Sequence, residues 1–166
     1  NQLSSNPETE GDLAELRAAL VAAHEAKGES SSDLLIGLQL THSGRYSRPD
    51  GSPSPRTAFR DPVLDARVGI TSDAALLSDG ELDELVGAYA SLARIARNVG
   101  FDFVDIKACH GYLGHELLSA HGRPGPYGGD LAGRSRFLLR AVEAVRRDAS
   151  DLAIGVRLSI FDLGPY

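Results

Sequence analysis

Three short spans of this 166-residue chain hold the side chains best suited to chemistry. The first carries Gln39, His42 and Arg45, the second Lys107, His110 and Tyr112, and the third Arg157 and Ser159. An amide, cations, imidazoles and a phenol can together bind a polar ring, stabilise a developing negative charge and move a proton. Each span lies at or just past the end of an apolar run that reads as a β-strand: Leu34–Leu40, Phe101–Ile106 and Leu152–Leu158.

Helical patterns separate these strands. Thr9 and Asp12 open one, Leu13, Leu16, Leu20 and Ala23 repeat on one face, and Gly28 is placed to end it. Residues 1–10 read as a polar lead-in. Ser78-Asp79-Gly80-Glu81 is a capping-box start, followed by the stripe Leu82, Leu85, Val86, Tyr89, Leu92 and Ala96 and a stop at Gly100. One helical turn is predicted near His115–Ser119. After the segment Gly122–Gly129, a last helix carries Leu131, Phe137, Leu138, Ala141, Val142 and Val145. Residues 41–73, rich in Pro, Arg, Ser and Gly, read as a long loop of the kind that is functional or mobile.

The order helix, strand, helix, strand, helix, strand predicts an α/β fold with a parallel sheet and right-handed crossovers. Sites in such sheets lie at the carboxyl ends of the strands, where all three spans fall. A three-strand parallel sheet has raw edges and an incomplete core, so the chain is expected to be one piece, residues 1–166, of a larger barrel domain. The absence of methionine, with Asn1 at the start, points the same way.

A formal charge of −6 argues against a general nucleic-acid or anionic-membrane partner. No apolar run approaches the roughly 20 residues that span a bilayer, and no signal-peptide pattern opens the chain. The single Cys109 excludes an internal disulfide and fits a reducing, cytoplasmic setting; it reads as a packing residue rather than a nucleophile. Cys109, His110 and His115 match no familiar metal-ligand spacing, so no metal site is expected. His115 and His121 read as solvated loop residues. Arg45, Arg48, Arg56 and Arg60 either line an entrance or are simply solvated. No Gly-x-Gly-x-x-Gly follows a strand, which weakens a Rossmann reading.

The segments Gly100-Phe101-Asp102-Phe103-Val104-Asp105-Ile106, His110-Gly111-Tyr112-Leu113, Leu118-Ser119, Tyr127-Gly128-Gly129 and Arg134-Ser135-Arg136-Phe137-Leu138-Leu139 resemble the old yellow enzyme family of NAD(P)H:flavin oxidoreductases. Gln39-Leu40-Thr41-His42-Ser43-Gly44-Arg45 is similar to that family's third-strand motif, and Ile154-Gly155-Val156-Arg157-Leu158-Ser159 to its fifth. The resemblance covers most of the chain from Leu34 on. It implies a (β/α)₈ TIM barrel of about 250 residues or more, of which this chain supplies roughly strands 3 to 5. It also implies FMN as cofactor, NAD(P)H as electron donor and an α,β-unsaturated carbonyl compound as substrate. The fragment alone is expected to bind FMN poorly and to be inactive.

Carried over residue by residue, Gln39 pairs with the flavin pyrimidine edge and Arg157 stabilises reduced flavin near N1. Tyr112 donates a proton, and His110 with Lys107 grips the substrate oxygen. Each has a plainer alternative: Gln39 tying down a loop, Arg157 paired with an acid such as Asp105, Tyr112 packing its ring, His110 bonded to backbone. Lys107 departs from the family, which often has histidine there. It can bind an oxyanion, favour an anionic substrate, or pair with Asp105 or Glu116. Ala132-Gly133 and Gly114-His115-Glu116 are lesser departures. Two rival functions stay open: a barrel enzyme using Lys107 as a Schiff-base lysine, trappable with borohydride, and a non-catalytic barrel module whose raw edges make it self-associate.

Overall fold

The computed structural model describes residues 9–159. The lead-in at residues 1–10 therefore lies almost wholly outside them. The elements run α1 (Thr9–Glu25), β1 (Gly37–Leu40), α2 (Pro62–Val68), α3 (Asp79–Val99), β2 (Phe103–Ala108), α4 (Leu113–Leu118), α5 (Leu131–Asp148) and β3 (Ala153–Leu158). The strands form one parallel sheet in the order β1-β2-β3. Successive parallel neighbours joined by helices are the repeating unit of a (β/α)₈ barrel, and the described part of the chain is an incomplete arc of one.

Local chemistry sets the helix ends. At α3 the Ser78 hydroxyl accepts from the Glu81 N–H while the Glu81 carboxylate accepts from the Ser78 N–H. Gly100 ends the helix at φ 92°, a left-handed conformation that glycine adopts without a side-chain clash. Asp130 caps α5 by accepting from the Gly133 N–H.

Alternation divides the sheet into two chemically different faces. Leu40, Val104, Ile106 and Ala108 are buried, and β2 packs against both α3 and α5. Tyr89 of α3 meets Phe137 of α5 edge to face, with ring centroids 5.7 Å apart. The other face presents Gln39, Asp105, Lys107, Gly155 and Arg157, all half-buried or exposed. At its base the Phe103 ring lies across Gly37, where a Cβ would stand 2.2 Å from ring carbons.

Several boundaries differ from the sequence reading. The strand expected over Leu34–Leu40 begins at Gly37, because residues 31–33 form a 3₁₀ turn; Leu35 is 76% exposed. The second strand runs to Ala108, so Lys107 is a strand residue held in register rather than part of a following loop. The third begins at Ala153. On α1 only Leu13 of the expected stripe is buried; Leu16 and Leu20 are each 46% exposed. Leu131 on α5 is likewise exposed. Residues 41–73 hold order of their own: a 3₁₀ turn at Gly44–Tyr46, the helix α2 capped by Asp61, and a bridge from Thr57 to Leu76. Among the described residues no helix is long and apolar enough to cross a membrane.

Candidate active site

Parallel register brings the three spans to one rim. Gln39 lies beside Asp105, and Lys107 beside Arg157, all on the same face. The Gln39 amide donates to Asp105 Oδ2 at 2.7 Å, and Arg157 Nη2 approaches that oxygen at 3.4 Å. The Asp105 alternative for Arg157 is thus observed, and Gln39 and Arg157 share that one carboxylate oxygen. With a side chain 58% exposed, Arg157 retains donors that face outward.

Lys107 pairs with neither Asp105 nor Glu116. Its Nζ lies 3.6 Å from the centroid of the Tyr112 ring, a cation–π contact. Tyr112 is half-buried at the N-terminus of α4 and stands 6.0 Å, centroid to centroid, from Tyr46. His110 is exposed at the turn between Lys107 and Tyr112. That turn is unusual: His110 has φ 60° and Gly111 φ 68°, two consecutive left-handed residues. His115 holds it, its Nδ1 accepting the Gly111 N–H at 2.9 Å. His115 is therefore buried and structural, not a solvated loop residue. Cys109 is buried, in keeping with a packing role.

The same helical turn also fastens the first loop. Arg45, expected to be solvated or at an entrance, is buried between two acids. It pairs with Asp65 through Nη1 and meets Glu116 through Nε as an ion pair without hydrogen-bond alignment. Glu116 accepts further from Thr57 Oγ1 at 2.7 Å and the Ala58 N–H at 3.1 Å. Burial raises the Glu116 carboxyl above its ordinary value, against the pull of Arg45 and those donors. Arg60 extends the network to Asp65 and Asp73, and Arg56 pairs with Glu81.

Backbone contacts complete the join. Leu113 N–H donates to His42 O at 3.2 Å, and the Gly44 Cα passes so close that a Cβ would sit 2.9 Å from Leu113 N. His42 Nδ1 accepts the Gly44 N–H at 3.1 Å, and burial, helped by the Arg56 charge, lowers the His42 pKa. Consequently the Gln39–Tyr46 and Lys107–Tyr112 segments form one fixed rim. A separate cavity of about 620 Å³ lies between the first loop and residues 119–124. Its charged groups are engaged within the chain, Arg123 with Asp79 and Arg60 with Asp65, so it carries none of this chemistry.

Whether a flavin fits can be judged from the donor set. Its pyrimidine edge presents carbonyls and an N–H, which suits an amide, an outward guanidinium and a hydroxyl. Thr41 Oγ1, two residues past Gln39, is buried with no hydrogen-bond partner among the described residues. The residues fit such a ring. Sequence reasoning gave no role to Thr41 or Tyr46, read His115 as a solvated loop residue and weighed Glu116 only as a partner for Lys107. Of these His115 carried a signal, lying four residues past Gly111 at the reach of one helical turn.

Comparison with known proteins bears on the family of the chain. An NADPH dehydrogenase of Geobacillus sp. strain WCH70 is 35% identical over 150 residues, covering 89% of this chain and 40% of its own length. The putative 12-oxophytodienoate reductase-like protein 1 of Arabidopsis thaliana is 34% identical over 128 residues, 74% of this chain and 40% of its own. The solved structure of morphinone reductase matches at a TM-score of 0.59 and 30% identity, over 75% of this chain and 37% of its own. The chain thus spans about two-fifths of the length of the curated relatives it matches. Residues 9–164 match the NADH:flavin oxidoreductase / NADH oxidase family, and the chain belongs to it, a family of flavin-dependent oxidoreductases that use FMN with NAD(P)H as electron donor.

Proposed function

We propose that the polypeptide to which these residues belong reduces C=C bonds conjugated to a carbonyl, taking electrons from NADH or NADPH through FMN. The observation that carries this reading is one shared rim. Gln39, Asp105 and Arg157 are linked at one level, with Lys107 and Tyr112 in contact just beyond them.

FMN, when bound, supplies the hydride. Gln39 and Arg157 would hold its ring, with the guanidinium placed to stabilise negative charge there. Lys107 and His110 hold the substrate oxygen, where charge develops as the β-carbon is reduced. Tyr112 then protonates the α-carbon through its phenol. His115 keeps the His110–Gly111 turn in place for both tasks.

Two measurements on the full-length protein test this. Its absorption spectrum should show bound flavin; a colourless protein that takes up no FMN would remove the proposal. Tyr112→Phe should leave flavin reduction by NAD(P)H unchanged while slowing enone turnover about 10²- to 10⁴-fold.

A further inference from the structure

The helix α4 spans only Leu113–Leu118, and a helix that short does not hold itself together in water. Its place is set by what fastens it, and Tyr112, at its N-terminus, moves with it. Tyr112 makes no capping bond through its own side chain. Four residues on and on the same face, the buried Glu116 takes three contacts from the first loop. These are the ion pair with Arg45 Nε, the Thr57 hydroxyl at 2.7 Å and the Ala58 N–H at 3.1 Å. Arg45 is fixed at its other end, with Nη1 on Asp65 and Nη2 donating to Phe59 O at 2.6 Å. Tyr46 stands on the same 3₁₀ turn as Arg45, and its ring lies 6.0 Å from that of Tyr112. Tyr46 also reaches Gly111, where a Cβ would sit 3.9 Å from its Cε2. One guanidinium therefore governs the backbone that carries Tyr112, through Glu116, and the ring beside it, through Tyr46. The Arg45 side chain is already 1% exposed among the described residues, so its contacts all lie within them.

We propose that Arg45 and Glu116 are positioning residues for proton transfer, holding the Tyr112 phenol where the α-carbon of the substrate receives its proton. In that step the phenol O–H bond breaks, the electron pair of the substrate enolate forms the new C–H bond, and the phenolate is left. Neither Arg45 nor Glu116 touches a reacting atom. This inference rests on the flavin-enzyme reading and adds to it the pair that places its acid.

The test uses the full-length FMN-loaded protein, with flavin content recorded first. Flavin reduction by NAD(P)H and single-turnover formation of cyclohexanone from cyclohexenone are followed separately. Glu116→Gln can still accept from Thr57 and Ala58 but presents an N–H to Arg45. It should slow product formation about 10- to 100-fold more than it slows flavin reduction, the upper figure being the scale of a misplacement of about 1 Å. In the Tyr112→Phe protein the same change should slow product formation less than about twofold further, because residues that act through one group are not additive. Arg45→Lys, which keeps the charge but loses the fork, should behave as Glu116→Gln does. Tyr46→Ala serves if neither variant folds, since Tyr46 is 47% exposed, and should give the same pattern. Equal slowing of both reactions, as a loosened fold would give, overturns the inference, and so does full multiplication of the two effects in the double variant. A slow Tyr112→Phe protein beside an unslowed Glu116→Gln protein overturns it while leaving the flavin reading standing. A protein that takes up no flavin sinks that reading and this inference with it.

Discussion

Replacing Arg45 by methionine should be among the more damaging single changes in this part of the molecule, although Arg45 touches no reacting atom. The Arg45 side chain is 1% exposed, and its partners Asp65 and Glu116 are 5% and 4% exposed. Removing one member of a buried ion pair costs about 3–5 kcal/mol, because the charge left behind is neither solvated nor paired. Here the loss should fall near the lower end, at about 3 kcal/mol, since Asp65 keeps Arg60 and Glu116 keeps Thr57 and Ala58. The pH dependence gives a second handle. Burial already raises the Glu116 carboxyl in the folded state. Between its unfolded value, about 4.3, and that raised folded value, the native state holds more protons, so stability falls as pH rises through this window. Without Arg45 the window extends upward, and the variant should be less destabilised at pH 5 than at pH 8. Adding Glu116→Gln removes the stranded charge and should restore about 1–2 kcal/mol. Urea unfolding of the four full-length proteins at both pH values measures all of this. A loss below about 1 kcal/mol, equal losses at the two pH values, or single-variant costs that add within about 0.5 kcal/mol would each refute the reasoning.

Other predictions concern the rim itself. Gly44→Ala places a Cβ against the Leu113 backbone at φ 60°, and should cost about 1–3 kcal/mol while weakening ligand binding beside Tyr112; urea titration with calorimetry reads both. His42 is held below its ordinary value of about 6.5 by burial and by Arg56, so its contribution is fully present above that pH and lost as pH falls through the depressed folded value. His42→Asn should flatten the pH dependence of stability in that window, and an unchanged slope would count against the assignment.

The repeating pattern, the caps and the carriers of polar groups were legible in one dimension because they depend on local spacing. Ser78 and Glu81 form the capping box that their separation predicts, and Gly100 stops α3 as a left-handed residue must. The alternation read from Phe101 to Ile106 already set the polar Asp105 apart from the buried Val104 and Ile106 on either side of it. Where the strand ended was not legible, because hydrogen bonding to β3 extends it through Lys107 to Ala108.

What the chain order could not supply is pairing between distant segments. That Asp105 would receive both Gln39 and Arg157, that Lys107 would turn to Tyr112, and that Arg45 would be buried between Asp65 and Glu116 follow from register and packing. An arginine in a polar loop looks solvated until the fold lowers two carboxylates onto it. Sequence thus determined which chemical groups reach the carboxyl edge of the sheet, since alternation and strand order are local. Tertiary structure decided which of them are spent on one another and which are left facing outward, since that depends on distances no spacing rule contains.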